Sequence, residues 1–178
     1  MESSCDLLRM LVFQIGSEVS LSEIGKKVGI DAKTVNRYID ILEKSFVIFR
    51  LSGFSKNLRK EIVKKNKYYF YDTGIRNALI SNFNSLDLRN DVGQLWENFL
   101  FIERLKRNSY KGSLLNSYFW RTWSKQKIDL VEERDGQLFG YEFKYGEKIP
   151  KAPTLWTEAY SNASFEVINK ENYLDFLL

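Results

Sequence analysis

The 178 residues carry 27 Lys and Arg against 23 Asp and Glu, a net charge of +4, and are 44% hydrophobic and 15% aromatic. That is enough apolar material for one medium domain or two small ones, and it excludes a disordered chain. A single cysteine excludes an internal disulfide, and the absence of histidine excludes Cys/His zinc sites and histidine-based nucleophilic catalysis.

Hydrolytic chemistry would therefore rest on carboxylates, lysine, hydroxyls or a metal held by oxygen. No run of about 18 apolar residues exists, and the N-terminus lacks a signal-peptide pattern, so a soluble cytoplasmic protein with no membrane partner is expected. The modest positive charge favours a polyanionic partner only weakly.

Leu7, Leu8, Leu11, Val12 and Ile15 form one helical stripe that Gly16 ends. A short second helix follows, capped by Ser20 or Ser22, facing Leu21, Ile24 and Val28 inward and closed by Gly29. Asp31 caps a third helix whose inward residues are Ala32, Val35, Ile39 and Leu42. Helix, Gly-containing turn and amphipathic helix make a helix-turn-helix pattern. The strand-like segments Val47 to Leu51 and Tyr68 to Tyr71 enclose a basic stretch of Lys56, Arg59, Lys60, Lys64, Lys65 and Lys67, which completes a winged helix. The third helix displays Lys33, Thr34, Asn36 and Arg37 near its start, where recognition helices meet base edges and phosphates. The plain alternative is a polar helix face turned to water.

From about Gly74 the pattern changes. Asp91 to Arg107 reads as a helix and Tyr118 to Trp123 as an aromatic strand. Residues 128 to 133 and 138 to 144 read as a hairpin, Ala152 to Tyr160 as a helix, Phe165 to Ile168 as a strand, and Glu171 to Leu178 as a closing helix. The order α-β-β-β-α-β is a mixed α/β (α+β) fold, with domains expected at residues 1–74 and 75–178. The aromatics Tyr118, Phe119, Trp120 and Trp123 read as core.

The Asp135-Gly136 pair fixes the hairpin's register, because a two-residue Asp-Gly loop suits a type I′ turn. Arg134 then opposes Gln137, and Asp129 opposes Glu142, where like charges repel. Lys144 lies two residues beyond Glu142 and shares its face. Two carboxylates and an ammonium on one face suit a hard divalent cation. The plain alternative is a solvated face above Phe139, Tyr141 and Phe143. On the preceding helix Gly93, Glu97, Leu100, Phe101 and Arg104 share a side, which sets a carboxylate against an apolar layer unless Glu97 pairs with Arg104.

A helix bearing Gly93-x3-Glu97, then Ile128-Asp129 and Glu142-Phe143-Lys144, resembles the PD-(D/E)XK nuclease core, the restriction-endonuclease-like fold. The larger arrangement adds the winged helix, Lys67, Tyr69, Phe70 or Tyr71, Asp72 and Gly74, and the Trp96-Glu97-Asn98 run. It resembles the C-terminal region of uncharacterised bacterial and archaeal AAA-type ATPases. The resemblance implies that Asp129 and Glu142 hold Mg2+ or Mn2+, with Glu97 as a further ligand or water-orienting carboxylate. It also implies that Lys144 positions the water or stabilises phosphate charge. The sequence contains no P-loop, so ATP would belong to an upstream ATPase domain missing from this chain, unless the chain is a stand-alone remnant of such a protein. Three readings stay open: a metal-dependent DNA endonuclease, a non-catalytic DNA-binding or oligomerising region of the ATPase, and a protein-interaction module.

Overall fold

The computed structural model describes residues 2–55 and 65–178. They form a mixed α+β protein with two sheets. Contacts divide the chain into two compact units. One contains Leu51 and the residues before it with Lys65–Gln94, and the other contains Leu95–Leu178 with the segment that starts at Ser52.

In the first unit α1 (Glu2–Phe13) and the residues after it bury Leu7, Leu11, Val12 and Ile15, and Gly16 turns the chain at φ 69°. β1 (Glu18–Val19), which the hydrophobic pattern is too short to reveal, precedes α2 (Leu21–Val28). The Ser20 side chain caps α2, and Gly29 ends it in the left-handed region. Asp31 caps α3 (Ala32–Lys44), its Oδ1 accepting the Lys33 and Thr34 backbone N–H groups at 2.9 Å. Val35 and Ile39 enter the core as expected, whereas Ala32 is exposed because it lies in the first turn beside the cap. β2 (Ile48–Leu51) and β3 (Asn66–Phe70) pair antiparallel, and the sheet order is β1-β3-β2. Helix, strand, two helices and two strands is the element order of a winged helix. Of the basic stretch, Lys56, Arg59, Lys60 and Lys64 lie outside the described residues. Lys67 is buried within β3 rather than displayed.

The Asp-x-Gly pair at 72 and 74 has a structural explanation. Asp72 caps α4 (Thr73–Leu79) by accepting the Ile75 N–H at 2.9 Å. A Cβ on Gly74 would stand 2.8 Å from that same carboxylate oxygen, so only glycine fits without a shift. Leu79 and Ile80 pack on the first unit's core. Asp91 joins Arg76 at 2.5 Å and accepts two hydrogen bonds from Arg89 at 2.8 Å. Those Arg89 bonds, aided by Arg76 and opposed by burial, hold the Asp91 carboxyl at about 2.

The second unit follows the expected α-β-β-β-α-β order: α5 (Val92–Tyr110, which enters from the first unit), β4 (Asn116–Arg121), β5 (Lys127–Arg134), β6 (Gln137–Phe143), α6 (Thr154–Ala159) and β7 (Ala163–Ile168). A closing helix, α7 (Tyr173–Leu177), ends the chain. The sheet order is β4-β5-β6-β7, antiparallel except for the parallel β6–β7 pair that the α6 crossover makes possible. One core gathers Phe54, Trp120, Ile128, Val131, Leu138, Trp156 and Tyr160. Elsewhere in the unit, Tyr141 and Phe143 meet Phe176 of α7 edge-on. Phe119 and Trp120 are core as expected, but Trp123 is fully exposed, because β4 ends at Arg121 and the chain turns there.

Candidate active site

The β5–β6 hairpin closes on Asp135 (φ 51°) and Gly136 (φ 72°), the paired left-handed conformations of a type I′ turn. The register follows the turn through five pairs, from Arg134↔Gln137 to Leu130↔Tyr141. On its other edge β5 behaves differently. Between Tyr118↔Val131 and Trp120↔Ile128, β4 advances two residues and β5 three, so β5 carries an extra residue around Asp129 and Leu130. A bulge re-aims a side chain and ends regular pairing. Here the register ends one step short of Asp129, whose Oδ2 instead accepts the Phe143 backbone N–H at 3.1 Å.

Asp129 and Glu142 are 1% and 5% exposed, so the plain alternative of a solvated polar face does not hold for them. Their neutralisation comes from two lysines. Lys127 Nζ lies 2.8 Å from Asp129 Oδ1 and 3.6 Å from Glu142 Oε1. Lys144 Nζ donates to the same Glu142 Oε1 at 2.6 Å. The other oxygen, Glu142 Oε2, is buried and accepts no hydrogen bond from the described residues. Burial pushes the Glu142 carboxyl above its ordinary range and the Asp129 charge pushes it further, with Lys127 and Lys144 only partly offsetting them. Burial works to lower the Lys127 value, but Asp129, then Glu142 and Glu97, outweigh it and hold the ammonium above the ordinary lysine range. Glu97, half-buried on α5, therefore belongs to the same electrostatic neighbourhood.

Lys127 was absent from the sequence-predicted set, although the periodicity that found Lys144 could have found it. Lys127-x-Asp129 mirrors Glu142-x-Lys144, each lysine two positions from its carboxylate along a strand. Asp129, Glu142 and Lys144 are brought together, while no group of three or more His, Cys, Asp or Glu side chains among the described residues converges closely enough for a metal ion. Arg104 is committed to Glu132 by two parallel hydrogen bonds of 2.8 Å, and Asn108 adds a third at 2.8 Å. Next to Glu97 and Lys144 in sequence, Trp96 and Tyr145 meet edge-on at 5.7 Å, and Trp96 also packs on Phe99 and Tyr173.

In the first unit α3 presents Lys33 and Arg37 to solvent. Thr34 and Asn36 are half-buried and already engaged. The Thr34 hydroxyl donates to Asp31 at 2.7 Å as part of the cap, and the Asn36 amide donates to Asp40 at 3.2 Å. Asp40 in turn accepts from Arg50 at 2.6 Å.

Two family descriptions match this chain. Residues 3–86 match Domain of unknown function (DUF8612), and residues 92–171 match Domain of unknown function (DUF4143). An uncharacterized protein of Mycobacterium bovis and one of Mycobacterium tuberculosis are each 29% identical over 137 residues, 76% of this chain. The chain spans about 30% of the length of these relatives. No solved structure matches. No helix among the described residues is long and apolar enough to cross a membrane.

Proposed function

We propose that the chain is a DNA-binding portion of a larger AAA-type ATPase and that its second unit carries a PD-(D/E)XK-type site for metal-dependent phosphodiester hydrolysis. The observation that carries this reading is the pair of buried carboxylates at the bulged, open end of the hairpin, with Lys144 beside them and a partnerless Glu142 oxygen. Desolvated like charges in contact are costly unless something positive joins them. The donors are hard oxygens, the kind Mg2+ or Mn2+ takes, and Asp129 and Glu142 would hold the ion, with Glu97 as a further ligand or water-orienting group. A cation bound there supplies Lewis-acid polarisation of the phosphate and a more acidic water. Lys144 would place its ammonium against a phosphate oxygen and offset the charge that grows there.

A specific observation favours a second reading, a non-catalytic DNA-binding or interaction module. Asp129 is already engaged by Lys127 and the Phe143 N–H, so the fold holds its acids without a metal. On either nucleic-acid reading, Lys33 and Arg37 are the exposed cations of α3 that would meet phosphates.

Anisotropy titrations of labelled duplex, single-stranded and branched DNA over a range of salt test the binding step. Replacing Lys33 and Arg37 by Ala is expected to weaken binding similarly across sequences and to flatten the log–log salt slope by about 2, roughly one per lost phosphate contact. Undetectable affinity for every DNA at low salt would remove both nucleic-acid readings. Incubation of the same DNAs with Mn2+ or Mg2+ separates them: cleavage lost in Asp129→Ala and Glu142→Ala with binding retained supports the enzyme, and binding without cleavage in the wild type supports the module.

A further inference from the structure

The two lysines of the site are not equivalent. Lys144 meets one carboxylate, Glu142, whereas Lys127 Nζ stands between two, 2.8 Å from Asp129 and 3.6 Å from Glu142. Asp129 and Glu142 are the same two carboxylates that would hold a divalent cation. A divalent ion held by the pair would compete with the Lys127 ammonium for the same oxygens, and the two cations would repel one another across a short distance.

We infer that Lys127 is a built-in counter-ion of the Asp129–Glu142 pair, and that a divalent cation enters only when the Lys127 side chain leaves. The inference rests on the metal-site reading above. The side chain is built to leave: 47% of its surface is exposed, and it springs from the first residue of β5, whose pairing with Arg121 fixes the backbone while the stem swings. Asp129 cannot follow it out, being 1% exposed and tied to the Phe143 N–H. With Lys127 in place the two acids are balanced by two ammonium groups. With Lys127 out, two negative charges and a partnerless Glu142 oxygen face whatever cation arrives. The apparent metal affinity is then the intrinsic affinity reduced by the fraction of molecules in which Lys127 is out.

The test is a calorimetric titration of Mn2+ and of Mg2+ into the full chain as wild type, Lys127→Met, Lys127→Gln and Lys127→Arg. If the closed arrangement holds about nine molecules in ten, the two uncharged variants bind on the order of tenfold more tightly than the wild type, and Lys127→Arg does not. Thermal unfolding in a chelator supplies a readout that needs no activity. Lys127→Met and Lys127→Gln melt lower than wild type without metal and regain more on adding Mn2+. Two uncharged variants guard against one that fails to fold. Equal metal affinity in wild type and both uncharged variants would overturn the exclusion while leaving the metal centre standing. Absence of binding in all four proteins would bring down the metal reading and this inference together.

Discussion

Strand β5 carries two buried acids three residues apart, and the protein treats them in opposite ways. Glu132 is wholly buried and fully answered: Arg104 grips both its oxygens, Asn108 adds a hydrogen bond, and the guanidinium lies 4.5 Å from the Phe176 ring centroid. Burial works to raise the Glu132 carboxyl, but the Arg104 hydrogen bonds and charge, with Asn108 and Arg134, together outweigh it and draw the value below its ordinary range. Asp129 and its neighbour Glu142 are instead answered by two flexible lysines, with one carboxylate oxygen unpartnered and the Glu142 value pushed up. Arginine offers a rigid planar fork, while lysine offers a compact charge on a flexible stem. The first arrangement fixes α5 and α7 to the sheet. The second balances the negative charge at the hairpin's open end with flexible ammonium groups, one of which another cation could replace.

This contrast makes the structural cluster the more damaging to break. Arg104→Ala would strand Glu132 without its ion partner and free the Phe176 carbonyl that Arg104 also holds at 2.5 Å. A loss of about 3–5 kcal/mol is expected, read as a lowered denaturant midpoint at unchanged slope. Asp129→Ala should do less. It leaves the buried Phe143 N–H without its acceptor, a loss of about 1–3 kcal/mol, but relieves the repulsion on Glu142. Asp129→Asn keeps an acceptor oxygen and should lie closer to wild type than Asp129→Ala. Comparable losses for Arg104→Ala and Asp129→Ala would break the distinction between the two clusters.

The elements themselves were largely legible in the sequence. Caps at Ser20 and Asp31, stops at Gly16 and Gly29, and the Asp-Gly turn are local chemistry, so pattern alone located them, whereas Asp72 showed its capping role only in the structure. Strand alternation likewise brought Lys144 to Glu142. What escaped was the outcome of competition between neighbours. Arg104 lies on α5 within reach of the Glu97 side, yet Glu132, 28 positions later in sequence, takes it with better geometry. The β5 bulge, which sends Asp129 to the Phe143 N–H, has no residue signature. Thr34 and Asn36 look displayed on a helical wheel, but Asp31 and Asp40 claim their polar atoms. Trp123 reads as one more strand aromatic, although the strand stops two residues before it.

The smallest of these effects is also the most discriminating, because its sign depends on pH. Glu142 holds its proton more tightly in the folded chain than in the unfolded one, burial being the main cause and Asp129 the next. Where a group binds more protons folded than unfolded, stability falls as pH rises. The Glu142 contribution is therefore complete at a pH below the ordinary glutamate range and is lost as pH climbs through the higher folded value. Glu142→Gln cannot ionise and escapes that loss. In a chelator its melting temperature should match wild type at low pH and exceed it near neutrality, by less than Asp129→Ala lowers it. The same substitution at Glu132 should act in the opposite direction. There the folded value is lowered, so wild type gains stability as pH rises above the folded value and Glu132→Gln does not. Two glutamate-to-glutamine changes on adjacent strands would thus shift the stability–pH curve in opposite senses. A Glu142→Gln curve falling below wild type at neutral pH would mean that Lys127 and Lys144 satisfy this pair as fully as Arg104 satisfies Glu132, and the case for a missing cation would weaken with it.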